Sequence, residues 1–377
     1  MIYLDSSATT LQKPPAVAAA VVRAMETMSS PGRGGYESAM LAAETVFACR
    51  SEIGEMFGVK EPERVVFTMN ATHGLNIAIK SLVRPGGRAV ISGYEHNAVT
   101  RPLAALEAEV LAARAPLFCP EEAVDAFEGM IRPGMDAVIC THVSNVFGAV
   151  QPIERIAEIC REREVPLIVD ASQSAGILTV DMNRLNATFI AMPGHKGLYG
   201  PQGTGILLCG EGELPSALME GGTGSLSLQQ QMPEFLPDRL EAGTHNVPGI
   251  AGLLEGVRYV RAKGLERICR KERLLAQRLA QGLEELPGVR VFARPGVPGQ
   301  VGVVSFIVDG WDHEELAALL GERGFAVRAG LHCAPLAHRS AGTLHCGTVR
   351  VSFSDFSTEE EVDLFVFALR TILEKEF

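Results

Sequence analysis

No apolar run in this chain approaches the roughly 20 residues that span a bilayer. Met1 to Thr10 also lacks the basic region and apolar core of a secretory leader. The expectation is a cytoplasmic protein with no membrane partner. Positive charge is scarce as well: 34 Lys and Arg face 45 Asp and Glu, for a formal net charge of −11. That balance excludes nucleic acid or an anionic membrane as the main partner, yet leaves room for a small anion in a locally positive site. The eight cysteines include no CxxC pair. Nor does a GxGxxG follow any strand, and there is no GxxxxGK with Ser or Thr behind it. Dinucleotide and P-loop readings therefore lose their main support. No internal repeat or low-complexity tract is present.

What is present suits a globular α/β protein. Hydrophobic residues make up 47% and charged residues 21% of the chain, an ordinary soluble balance. Its 377 residues are enough for two domains with substantial cores. Short apolar runs predict strands over 64–68, 88–92, 136–141, 166–170, 187–192 and 204–208. Amphipathic stretches such as Pro152–Glu164 lie between several of them. Strands alternating with helices imply a mostly parallel sheet with helices on both faces, and near-continuous apolarity implies burial of both faces. A long helical run from Ile250 to about Leu286 precedes a second set of strands and a last helix from about Thr358. We place a large domain over 15–255 and a smaller C-terminal α/β domain over 1–14 and 256–377.

The polar residues gather where the predicted strands end. Met69-Asn70-Ala71-Thr72-His73-Gly74, Glu95-His96-Asn97, His142-Val-Ser-Asn145, Asp170-Ala-Ser-Gln173 and Pro193-Gly194-His195-Lys196 follow five of them. Open α/β sheets bind their ligands at those carboxyl ends. Ala71, Thr72 and His73 open a helix whose free amides suit a phosphate, although a plain Thr N-cap reads the same way. Lys196, flanked by Gly194 and Gly197, would be held near the sheet edge on a close-approaching backbone, although an ordinary surface lysine in a glycine-rich turn reads the same way. A partly desolvated lysine has a depressed pKa and forms a Schiff base with an aldehyde cofactor. Asp170 is the carboxylate that a protonated pyridinium nitrogen needs, and His96 offers a plane to stack on the ring. Together these groups describe a site for pyridoxal 5'-phosphate. Six of the cysteines are expected to be small buried hydrophobes. Cys333 and Cys346 stand apart in polar, histidine-bearing loops.

Several motifs are similar to those of class V aminotransferase-fold enzymes. They are Tyr3-Leu-Asp-Ser-Ser-Ala-Thr-Thr10, Asp170-Ala-Ser-Gln173-Ser-Ala-Gly176, the stretch from Gly194 to Gly205, and Glu241-Ala-Gly-Thr-His-Asn246. Arg328-Ala-Gly-Leu-His-Cys333-Ala and Gly347-Thr-Val-Arg350-Val-Ser-Phe353 resemble the short-loop group of cysteine desulfurases and selenocysteine lyases. The resemblance implies fold type I, the PLP-dependent transferase fold, with a mostly parallel seven-stranded sheet in the large domain. It implies that Lys196 carries the cofactor, Asp170 meets the ring nitrogen, His96 stacks on the ring and Gln173 reaches the phenolic oxygen. Thr72 and His195 become phosphate ligands. Thr244 becomes one donated across a homodimer interface. Asn145 lies near the substrate carboxylate, Arg350 binds it bidentately, and Arg328 lies beside the cysteine segment. Cys333 takes sulfur from L-cysteine as a persulfide, leaving alanine, for a protein acceptor.

The chain departs from the pattern at Pro193, where a hydroxyl residue is usual, at His73, where an acidic residue is common, and at Leu331, which replaces a frequent histidine. Pro335 and His338 follow the cysteine in an unusual loop. A cation or base is needed to ionise the Cys333 thiol, and His332, His96, Arg328 or His338 is a candidate. Rival readings are a selenocysteine lyase, an aminotransferase or a racemase on the same fold. A metal module of His332, Cys333, His338, His345 and Cys346, or a catalytically silent scaffold, is a rival of another class.

Overall fold

The computed structural model describes residues 1–32, 34–212, 214–294 and 299–375. Thirteen strands appear in it. They are β1 Ile2–Tyr3, β2 Val65–Thr68, β3 Arg88–Ser92, β4 Glu109–Ala113, β5 Ala137–Thr141, β6 Leu167–Asp170, β7 Phe189–Pro193, β8 Gly205–Cys209, β9 Val289–Phe292, β10 Val303–Val308, β11 Phe325–Ala326, β12 Arg328–Gly330 and β13 Thr348–Ser352.

Seven of these strands form the large sheet, in the order β2-β8-β7-β6-β5-β3-β4. All neighbours are parallel except β8, which runs antiparallel to both β7 and β2. The apolar runs are continuous because successive residues serve different cores. Val138 and Cys140 enter one hydrophobic cluster, and Ala137 and Ile139 enter the cluster on the opposite face. Period-two geometry makes that alternation obligatory. Sequence patterning missed β4, a half-exposed edge strand beginning at Glu109. An edge needs no unbroken apolar run.

A second sheet, β12-β13-β10-β9, is antiparallel throughout. Its core includes Phe306, Val349, Phe365 and Leu369, and also Leu4 from the other end of the chain. The helical run expected as one element is two, Val247–Lys263 and Leu265–Glu284. Gly264 between them has φ +86°, and an α-helix cannot continue through that conformation.

The first ten residues stitch the two sheets together. β1 pairs in parallel with β11, and Asp5 then bridges Ser352 where β12 has ended. Farther on, the Thr10 amide donates to the His195 carbonyl at 3.1 Å. The chain thus runs from the second sheet to the residue beside Lys196.

Candidate functional site

The carboxyl ends of β2, β3, β5, β6 and β7 open onto a cleft. Asn70, Ala71, Thr72, His96, Asn145, Asp170, Gln173, His195 and Lys196 line it. The crevice rule applied to five strand ends thus gathers groups more than 120 residues apart.

Lys196 leaves β7 on a tight turn that only glycines permit. A Cβ at Gly194 would stand 2.3 Å from Thr204 Oγ1, and one at Gly197 would stand 2.4 Å from the Ala175 carbonyl oxygen. Thr10 fixes the turn from the other side, with Oγ1 donating to the carbonyls of His195 at 3.0 Å and Lys196 at 3.3 Å. The Lys196 amine has neither hydrogen bond nor ion pair among the described residues. Burial lowers its pKa to about 8; Asp170 opposes that shift and Arg350 adds to it.

Asp170 ends β6, buried, with Oδ1 accepting from the Ser172 amide at 2.9 Å. His96 caps the helix Asn97–Ala105, and its Nδ1 accepts from the Ala98 amide at 3.0 Å. Burial lowers its pKa, so the ring is neutral with its proton on Nε2. Gln173 donates from Nε2 to the Ser7 carbonyl at 3.0 Å. His195 sets Nδ1 3.0 Å from Thr9 Oγ1, and burial lowers its pKa to about 4.

The helix Ala71–Leu82 begins at the cleft. Its cap is Asn70, not Thr72: Asn70 Oδ1 accepts from the His73 amide at 2.9 Å. The Ala71 and Thr72 amides have no intrahelical acceptor, as in any first turn. His73 separates from the group it was expected to join. Its amide is used by the cap, its Nδ1 accepts from Met69 N at 3.3 Å, and it lines a neighbouring cleft with exposed Thr244. Thr244 likewise stands outside the Lys196 cleft of its own chain.

The donor set suits a phosphorylated pyridine aldehyde. Two free amides and a hydroxyl face an anion, a buried carboxylate suits a ring N–H, and an unpartnered amine suits the carbonyl. Pro193 removes a hydroxyl from this wall without displacing the turn, since the Gly194 amide still donates to the Thr204 carbonyl at 2.9 Å.

The cysteine loop docks on the rim of this cleft. The Asn97 amide donates to the Cys333 carbonyl at 2.8 Å, and Asn145 Nδ2 donates to the His332 carbonyl at 2.8 Å. His332 and Cys333 both adopt left-handed backbone, φ +48° and +55°. The Cys333 side chain is exposed while the His332 ring is buried against Thr348, with Nε2 3.1 Å from its carbonyl oxygen. Burial holds His332 well below the usual imidazole range and brings His338 to about 4. Both are neutral, so neither supplies the cation sought for Cys333. Arg328 is the cation left among the candidates, and its guanidinium is held by Asp5 through Nε and Nη2. The rings of His332 and His338 stack, with centroids 5.7 Å apart. Among the described residues no three His, Cys, Asp or Glu side chains are grouped to hold a metal. Cys119 is half-buried rather than buried.

Arg350 is buried on β13, donating from Nη1 to the Asn145 carbonyl at 2.9 Å and from Nη2 to Asp5 Oδ1 at 2.7 Å. Asp5 and Asn97 were not singled out from the sequence. Asp5 lies 345 positions from Arg350, and no local pattern announces such a pairing.

Among the described residues no helix is long and apolar enough to cross a membrane. The family model for aminotransferase class V matches residues 2–365. A probable cysteine desulfurase of Methanothermobacter thermautotrophicus is 32% identical, over 98% of this chain and 94% of its own. One from Mycolicibacterium paratuberculosis is also 32% identical over 99% of this chain, which spans 56% of that longer protein. The apo structure of a cysteine desulfurase from Thermococcus onnurineus superposes with a TM-score of 0.90 at 29% identity, covering 99% of this chain and 95% of the other.

Proposed function

The chain belongs to the class V aminotransferase family and, within it, to the cysteine desulfurases, and from that premise we propose how its residues divide the work. The reaction converts L-cysteine to L-alanine while the Cys333 thiol becomes a persulfide, so one C–S bond breaks, one S–S bond forms and no outside oxidant is required. Pyridoxal 5'-phosphate, on which the family depends, would supply an electron sink conjugated to the substrate nitrogen. Lys196 would hold it, with Ala71, Thr72 and His195 at its phosphate and Asp170 at its ring nitrogen.

The rest falls to the chain. Arg350 binds the substrate carboxylate through its guanidinium, a geometry lysine does not reproduce. Lys196, its amine pulled to about 8 by burial, is basic yet easily neutral, and it takes the proton from the substrate α-carbon. Asp170, buried at the end of β6, would keep the ring nitrogen of the cofactor protonated. Cys333, exposed at the cleft rim, attacks the substrate sulfur as thiolate with Arg328 as the neighbouring cation. Asn97 and Asn145 hold the loop so that the thiol meets that sulfur. Thr244, exposed in the neighbouring cleft, is offered to the phosphate site of a second copy, making the working unit a homodimer. Exposed Val22, Met25, Met40 and Phe47 on the first two long helices are apolar surface for that contact.

The observation that carries this reading is one cleft holding the unpartnered Lys196 amine and the buried Asp170 carboxylate. Its test is a visible spectrum of the purified protein and of Lys196→Ala, followed by assay of sulfide and alanine from L-cysteine. A cofactor band lost in the variant, with equal amounts of both products from the parent, is expected. An unchanged spectrum in the variant overturns the assignment.

A further inference from the structure

Arg328 of β12 and Arg350 of β13 are directly in register across their antiparallel pair. Like charges facing each other across strands repel, so the pair needs a counter-charge. Asp5 provides it. Its Oδ1 accepts from Arg350 Nη2 at 2.7 Å, and its Oδ2 accepts from Arg328 Nη2 at 2.8 Å and Nε at 3.0 Å. Backbone fixes the carboxylate as firmly as charge does. Asp5 bridges Ser352, Ser352 N donates to the Leu4 carbonyl at 2.8 Å, and Ser6 N donates to the Ser352 carbonyl at 3.3 Å.

Two guanidiniums and one carboxylate leave a single uncompensated positive charge. Arg328 has two of its donor nitrogens on Asp5. Arg350 is clamped at Nη1 by the Asn145 carbonyl and at Nη2 by Asp5, while its buried Nε has no partner. Each arginine thus keeps one nitrogen without a partner, Nη1 on exposed Arg328 and Nε on buried Arg350, and the buried one belongs to the arginine that, on the function proposed above, receives the substrate carboxylate. We propose that Asp5 is a positioning residue for that carboxylate: it fixes the plane of Arg350 and draws Arg328 aside, leaving one oriented cation for one carboxylate. Electrostatics alone gives the opposite expectation, since deleting a negative charge beside a cationic site tightens the binding of anions. Orientation outweighs it, because a planar guanidinium binds a carboxylate well only when its donors are aimed at the oxygens, whereas the gained attraction is spread over two mutually repelling arginines.

The test is Asp5→Asn in the cofactor-loaded enzyme, with L-alanine affinity measured by calorimetry beside steady-state kinetics on L-cysteine and thermal unfolding as the control for fold. The variant should bind alanine about tenfold or more weakly and show a KM about tenfold or more higher, with kcat within about threefold. Asp5→Glu, which keeps the charge, should lie between it and the parent. Should the amide disturb the strap, Asp5→Ser removes the same charge with a smaller group and carries the same expectation. A folded neutral variant that binds alanine as tightly as the parent, or more tightly, overturns the proposal and leaves the desulfurase reading intact. A parent that releases no sulfide from cysteine, yet loses alanine affinity on the substitution, overturns that reading and leaves the role of Asp5 standing. A parent that binds no alanine overturns both.

Discussion

Asn145 donates its side-chain amide to the main-chain carbonyl of His332, 187 positions along the chain, at 2.8 Å. One hydrogen bond thereby joins the end of β5 to the residue before Cys333. It matters because the loop is strained: two consecutive non-glycine residues in the left-handed region cost roughly 1–3 kcal/mol each. The Asn97 and Ala334 amides help to offset that strain. Removing a contributor worth about 1 kcal/mol is therefore felt. Asn145→Ala should fold normally and release sulfide several-fold more slowly. Its Cys333 should be alkylated by iodoacetamide several-fold faster than in the parent. Equal alkylation rates would show that the bond does not restrain the loop.

The lowered pKa of Lys196 sets a pH dependence for cofactor attachment. Only the neutral amine condenses with an aldehyde. With a pKa of about 8 in place of 10.5, about one amine in ten is neutral at pH 7, against fewer than one in a thousand for an ordinary lysine. The rate at which apoprotein gains its visible band should rise about tenfold per pH unit below 8 and level off above it. A rise continuing to pH 10 would mean that burial does not depress this amine.

Arg50, on the helix Glu37–Phe57, forms a buried ion pair with Glu241, at the start of the segment bearing Thr244. Burial pushes the Glu241 carboxyl up, but Arg50 and His245 more than reverse it and hold it below the ordinary range. The same carboxylate accepts from the Phe67 amide at 2.6 Å. Breaking such a pair from one side strands a buried charge and costs about 3–5 kcal/mol. Arg50→Met should lower the melting temperature by several degrees and, if the segment reaches a second copy of the chain, weaken cofactor retention in dilute protein. A melting curve superimposable on the parent's would contradict the burial of this charge.

The large sheet was legible because buried strands of a parallel sheet must be apolar throughout; the six predicted runs lie within two residues of β2, β3, β5, β6, β7 and β8. The cleft was legible for a related reason. Polar groups directly behind such strands have few places to go except the crevice, and Asn70 to Thr72, His96, Asn145, Asp170, Gln173, His195 and Lys196 all arrive there. The residues that escaped act on groups far along the chain. Asp5 sits in the motif from Tyr3 to Thr10, but no role could be read for it there, because its meaning comes from two arginines more than 300 positions away. His73 misled because helix-start amides look equivalent in sequence, whereas the Asn70 cap had already claimed its N–H. His332 misled because adjacency to Cys333 says nothing of direction: one side chain is exposed and the other buried.

The division of labour between Lys196 and Cys333 is tested most directly by Cys333→Ala, read by visible spectrum and by sulfide and alanine release from L-cysteine in one preparation. The substitution alters an exposed side chain outside the cofactor cleft. The variant should keep the full cofactor band, still show a spectral change on adding cysteine, and lose sulfide and alanine formation by at least about a hundredfold. Sulfide release at the parent's rate would contradict the account, because the substrate sulfur would then be leaving without the thiol assigned to receive it.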